Sequence, residues 1–232
     1  RAGVSSGRRN RAGPRAGGGR GSRQRAVQWF PRVDRGCQRR DAPDVVARAG
    51  SADRAGPVAE QTERTDAWPS AAWQRVVESG LLGWGIPAEH GGHVCSAREM
   101  LEAYIDVSRA CLTTAFILTQ RNSAVQKLVD SDQAEIKERM LPPIAAGQLH
   151  VTLGISHLTT SRQHMVRPVV EARSAGSGLV LEGEIPWVTA APQADLIVAG
   201  ASFRDGRQVL ALVPTDARGV HVHTPEIGRA HV

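Results

Sequence analysis

Three stretches of this chain carry side chains whose types and spacing could do chemistry. The first is Gly183-Glu184-Ile185-Pro186-Trp187-Val188-Thr189-Ala190-Ala191. A flat aromatic beside a hydroxyl and free backbone groups at a strand end can stack near a planar cofactor and hydrogen-bond its polar edge. Taken alone, the same residues also read as a core tryptophan closing a strand and a turn threonine, because buried aromatics mostly serve packing. The second is Gly154-Ile155-Ser156-His157-Leu158, half of a nucleophile elbow. Its second glycine and its strand–turn–helix setting are missing, which argues against a serine hydrolase. The third, His90-Gly91-Gly92-His93-Val94-Cys95, has ligand types near metal-like spacing. A structural zinc site needs four ligands, no second cluster stands nearby, and the stretch reads as a flexible loop with no metal. No Gly-x-Gly-x-x-Gly fingerprint supports a dinucleotide-binding Rossmann unit.

The elements that must position these residues fall into two kinds. Ser70–Ser79 is apolar at Ala71, Ala72, Val76 and Val77, with Gly80 set to close a helix. Ser96 and Glu99 form a capping box, behind which Tyr104, Val107, Cys111, Ala115 and Leu118 predict a helix to about Thr119. A further helix is expected over Asn122–Val129. Another should start at Asp132 with Glu135 and stop at Pro142-Pro143. After Gln148, a small-residue turn at Thr152–His157 leads into strand-like segments. These are Val166–Ala172, Leu179–Ile185, Leu196–Ala201, Gln208–Val213 and Val220–His223, with Asp205-Gly206 as a hairpin signal. Helices first and antiparallel strands second predict an α+β chain: a helical bundle followed by a small antiparallel β-barrel or sandwich.

The chain's 232 residues leave room for one large domain or two small ones, and no apolar run is long enough to span a membrane. The net charge of +6 is unevenly spread. Residues 1–60 hold 14 arginines against 5 acids, leaving 15 basic and 18 acidic residues in 61–232. The folded part is therefore mildly acidic, and the high isoelectric point is no argument for nucleic-acid binding. Residues 1–60 have few apolar residues and no period, and read as a disordered Arg/Gly-rich extension or an out-of-frame upstream translation. Cys37, Cys95 and Cys111 are too few and scattered for a disulfide framework, so a reducing, cytoplasmic setting is the default.

Three motifs in order carry a family resemblance over about residues 66–223. Leu179–Ala191 followed by Ala194-Asp195 is similar to the Gly-x-Lys-x-Trp-Ile-Thr-Asn … Ala-Asp pattern of the acyl-CoA dehydrogenase family. Gly80–Gly92 resembles that family's Gly-Leu-Leu-Gly … Pro-Glu-Tyr-Gly-Gly loop, and Ile136–Gly147 its Lys-Glu-Arg-Tyr-Leu-Pro … Ala-Ser-Gly segment. The resemblance implies a helical domain over 61–147 and a middle β-domain over 148–225. In the family a C-terminal helical bundle follows, and FAD lies between β-domain and bundle. A glutamate of that bundle takes the α-proton of an acyl-CoA thioester while hydride passes from the β-carbon to the flavin. An electron-transferring flavoprotein reoxidises it, and the enzymes work as homo-oligomers.

Carried over by position, the resemblance puts Leu153, Ile155, Ser156, Ser161, Trp187, Val188 and Thr189 at the flavin, with no role for nucleic acid or membrane. It supplies no catalytic residue, because the family's glutamate belongs to the bundle, and an inactive fragment is expected. Where the family continues Ala-Gly-Ser-Asp, this chain has Thr160-Ser161-Arg162-Gln163, and Arg162 is read as meeting a CoA or flavin phosphate. That altered turn keeps open a flavin-dependent monooxygenase of the same fold. A non-catalytic module with a basic tail is the reading from another class. Residues 226–232 back-translate to a sequencing-adapter sequence and stop codon, and a truncated read is expected there.

Overall fold

The computed structural model describes residues 68–159, 167–176 and 178–223. The expected extension over 1–60 and the terminal 226–232 stretch lie outside them. Helix α1, Ser70–Glu78, buries Val76 and closes where the Ser79 hydroxyl donates to the Val76 carbonyl at 2.8 Å. Gly80, at φ 77°, then reverses the chain into two 3₁₀ turns, Leu81–Gly83 and Ala88–His90.

The expected flexible loop over His90–Cys95 is instead a tightly folded return. Gly85 N–H donates to His93 O at 3.0 Å and His93 N–H to Gly83 O at 2.8 Å. A Cβ on Gly92 would fall 2.3 Å from the Ile86 carbonyl oxygen, so only glycine lets these backbones pass. Among the described residues no group of three His, Cys, Asp or Glu side chains could hold a metal.

Helix α2, Ala97–Ala110, starts on the expected capping box: Glu99 N–H donates to Ser96 Oγ at 3.2 Å, and Ser96 N–H to Glu99 Oε2 at 2.7 Å. The continuous helix expected to Thr119 breaks at Cys111, whose backbone is extended at φ −162°, ψ 109°. Helix α3 then runs unbroken over Leu112–Val129, merging two predicted pieces. Cys111 caps α3 without a side-chain oxygen, so the usual Ser/Thr/Asp/Asn signal is absent there. Helix α3 is buried around much of its girth, at Ala115, Ile117, Leu118, Ala124, Val125 and Leu128 among others. It is the central helix, packed on α2, α4 and β1.

Helix α4, Ala134–Ala145, passes through Pro142-Pro143 instead of stopping at them. The missing N–H groups would have bonded the carbonyls of Glu138 and Arg139, two exposed residues on the solvent side of the helix. The helix ends one turn later with Gly147 at φ 72°.

The strands are β1 Val151–Gly154, β2 Val170–Ala175, β3 Gly178–Gly183, β4 Leu196–Ser202 and β5 Gln208–Pro214. They make one mixed sheet rather than the antiparallel barrel or sandwich expected. Strand β5 pairs antiparallel along all of β4, from Leu196↔Pro214 to Ser202↔Gln208. The other edge of β4 is shared end to end: β1 runs parallel from Val151↔Leu196 to Gly154↔Ala199, and β2 meets it, also parallel, at Glu171↔Ser202. Strand β3 hairpins back antiparallel onto β2. Two segments depart from expectation. Thr152–Gly154, expected as a turn, is a fully buried strand, which shows no alternation to read. Val220–His223, expected as a strand, is irregular. Among the described residues no helix is long and apolar enough to cross a membrane.

One core joins the two kinds of element, with Ala124, Val125, Leu141 and Ile144 from the helices against Val151, Leu153, Leu196 and Val198 from the sheet. At its edge Arg121 is 1% exposed. Its Nη2 donates to the Ile144 carbonyl and its Nη1 to Asn122 Oδ1, both at 2.8 Å, and Asn122 Nδ2 donates to the Tyr104 hydroxyl at 2.9 Å. Burial pulls the Arg121 pKa down to about 10.

Candidate functional site

Strand β3 ends at Gly183, where φ is 146° and a Cβ would lie 2.2 Å from the Val169 carbonyl oxygen. The chain leaves the sheet there and crosses back over β1 as the segment 184–193. It then re-enters as β4, clasped at that point: Asp195 N–H donates to the His150 carbonyl at 2.9 Å, and His150 N–H to Asp195 Oδ2 at 2.7 Å. The crossing segment forms one wall of a cleft of about 820 Å³. Phe116 from α3 borders it, as do His221 and His223 from the stretch after β5. Glu184 is the one carboxylate among the described lining residues.

Within this wall Trp187 is 68% exposed, far from the buried aromatic that packing alone would require. Val188 and Thr189 follow, half-buried and lining the same cleft. None of the hydrogen bonds among the described residues uses the Val188, Thr189 or Ala190 N–H, or the Thr189 hydroxyl. An exposed indole thus stands beside a row of unused donors. Ala190 has φ 57°, the one non-glycine residue with positive φ among those described. A side chain there costs about 1–2 kcal/mol, and such strain gathers at functional turns.

The structure brings three of the predicted residues, Trp187, Val188 and Thr189, to one cleft wall. Leu153 is 8% exposed, with its side chain in the shared core. Ile155 packs against the same core, and Ser156 opens the one-turn helix α5, Ser156–Thr159. None of these three borders the cleft. Ser161 and Arg162 lie outside the described residues. Phe116, Ala190 and His221 were not singled out from the sequence. Phe116 carries a signal in hindsight, since it sits on the apolar-rich α3 yet is 52% exposed, but exposure is not readable from periodicity.

Comparison with known proteins gives the same resemblance. Residues 44–148 match the model described as "Acyl-CoA dehydrogenase, N-terminal domain". A probable acyl-CoA dehydrogenase, YngJ, of Bacillus subtilis is 26% identical over 175 residues, which is 73% of this chain and 46% of that protein. Over the matched residues this chain is similar to members of the acyl-CoA dehydrogenase family. Solved structures agree on the fold. The prolyl acyl carrier protein oxidase AnaB superposes with a TM-score of 0.66 at 21% identity, over 80% of this chain and 50% of that one. A structure titled "PigA with FAD and proline" gives 0.67 at 17% identity, over 81% of this chain and 51% of that one. The chain thus spans about half the length of the relatives it matches.

The described cleft residues fit a flavin on chemical grounds. The isoalloxazine ring is planar with one polar edge, and the wall offers a flat exposed indole next to unused N–H and hydroxyl groups.

Proposed function

We propose that this chain carries the flavin-contacting part of an FAD-dependent oxidoreductase that desaturates an acyl-CoA thioester between Cα and Cβ. The observation that carries the reading is the Trp187–Ala190 wall, with its exposed indole and unused donors, in a chain similar to acyl-CoA dehydrogenases. In this reading Trp187 stacks near the flavin ring. The Val188, Thr189 and Ala190 N–H groups and the Thr189 hydroxyl donate to its polar edge and orient it. The indole and the apolar residues around it, Phe116 and Ile185 among them, keep water from the reacting face. Bound there, FAD supplies the acceptor for the hydride that leaves Cβ as the α-proton is removed.

Glu184, exposed at the rim, is not assigned the α-proton, since the family resemblance gives that role to a glutamate of the C-terminal bundle. An electron-transferring flavoprotein as acceptor and a homo-oligomeric assembly belong to the same proposal, as does a role for Arg162 toward a phosphate. A monooxygenase using reduced flavin and oxygen is the competing chemistry on this fold.

Titrating the chain with FAD and recording the visible absorbance tests the reading. Bound oxidised flavin is expected in the parent. Trp187→Ala should weaken binding by tenfold or more with little change in stability, because an exposed side chain contributes little packing. Equal affinity in the parent and the variant would refute the assignment of Trp187. In the complete protein, reduction by acyl-CoA thioesters without oxygen supports desaturation. Oxygen consumption that requires reduced flavin would replace it with the monooxygenase.

A further inference from the structure

Strand β1 lies directly beneath the cleft wall, and two of its residues on one face, Thr152 and Gly154, meet that wall. The Thr152 side chain is buried, and its Oγ1 donates to the Thr189 carbonyl at 2.7 Å across 37 residues of sequence. A Cβ on Gly154 would come within 3.1 Å of Val188 Cγ2 and 3.2 Å of Ile185 Cδ1, so the segment rests on the bare backbone of this strand. We propose that Thr152 is a positioning residue for the wall, its hydroxyl fixing the peptide that joins Thr189 to the strained Ala190.

In a planar trans peptide the carbonyl and the following N–H point in opposite directions. Holding the Thr189 carbonyl toward β1 therefore aims the Ala190 N–H away from β1, and Ala190 borders the cleft. Without that anchor nothing among the described hydrogen bonds fixes this peptide, and the positive φ of Ala190 favours its rotation back to an ordinary conformation. The turn that follows is held by weaker links: Ala191 N–H to Val188 O at 3.4 Å, Gln193 N–H to Ala190 O at 3.1 Å and Ala194 N–H to Ala191 O at 3.2 Å. Thr152 makes no contact with the cleft itself, so its effect on a ligand passes through Thr189 and Ala190. The consequence for flavin rests on the function proposed above. The anchoring of the turn does not.

Two measurements on the 232-residue chain test this, with Thr152→Val removing the hydroxyl at nearly constant shape and Thr152→Ser restoring it. In amide hydrogen exchange, Thr152→Val should speed Ala191, Gln193 and Ala194 about tenfold, the size of one lost hydrogen bond. The β4 amides of Val198 and Gly200 should stay within twofold, and Thr152→Ser should return all three to the parent rates. Unchanged exchange at those three amides overturns the proposal, and so does an equal acceleration in β4, which would mean general destabilisation. In FAD titration, Thr152→Val should raise the dissociation constant about tenfold, with Thr152→Ser close to the parent. Parent-like affinity in Thr152→Val overturns the link from Thr152 to the cofactor. If the parent itself binds no FAD, the flavin reading fails while hydrogen exchange still decides the anchoring of the turn.

Discussion

His150 sits where α4 hands over to β1, and its titration should govern the chain's stability in mild acid. Its ring packs edge-on against Trp73 at 5.0 Å and Trp68 at 5.7 Å between centroids, and its Nε2 is buried with no hydrogen-bond partner. Burial first, and the nearby Arg121 charge second, pull its pKa from 6.5 down to about 4, against a smaller opposing pull from Asp195. The unfolded chain thus takes up a proton below about pH 6.5 that the folded chain refuses until about pH 4. Folding stability from this residue is complete above pH 6.5 and is lost as pH falls toward 4. A shift of that size is worth roughly 3 kcal/mol in full, of which about 2 kcal/mol is lost between pH 7 and pH 5. The perturbation is His150→Phe, which keeps a ring between the two tryptophans and removes the proton site. In urea unfolding at pH 7 and pH 5, the parent midpoint should fall by about 1 M more than that of the variant, at ordinary urea slopes. Parallel shifts in parent and variant would refute the reasoning, because the carboxylates common to both would then account for all of the acid sensitivity.

Two further expectations concern the interior and the strained turn. Arg121→Ala removes the donors that hold the Ile144 carbonyl and Asn122, and opens a cavity in the core. It should cost about 3–5 kcal/mol, read as a lower urea midpoint or as insoluble expression. Arg121→Met, which fills the space without a charge, should recover much of that loss. Ala190→Gly relieves the left-handed strain at φ 57° but loosens the unfolded chain. A net gain of about 0.5–1 kcal/mol in thermal or urea unfolding is expected, and a loss of stability would mean that the turn is not strained there.

The capping box at Ser96 and Glu99 was legible in the sequence because it is local: the residues that satisfy the first amides of α2 lie within one turn of them. Hydrophobic period likewise located four of the strands and the major helices. Their ends were less legible where the deciding group is not a side chain. The break at Cys111 is made by an extended backbone, and α4 passes Pro142-Pro143 where the residues whose carbonyls lose a donor, Glu138 and Arg139, are exposed. The motif around Trp187 and Thr189 pointed to the cleft wall and to the family, since it rests on residue identities in order. It could not report that Trp187 is exposed or that Leu153 lies in the core.

By itself the sequence determined the α+β class, and it carried the family resemblance and the motif around Trp187. These depend on local propensity and on motif order, which a linear string records. Only the tertiary structure decided that β1 and β2 share one edge of β4, making the sheet mixed, and that a buried threonine reaches the Thr189 carbonyl from 37 positions away. Strand partners and buried polar contacts are settled by which surfaces meet in the core. A fully buried strand such as Val151–Gly154 has no polar face to announce its register or its partner.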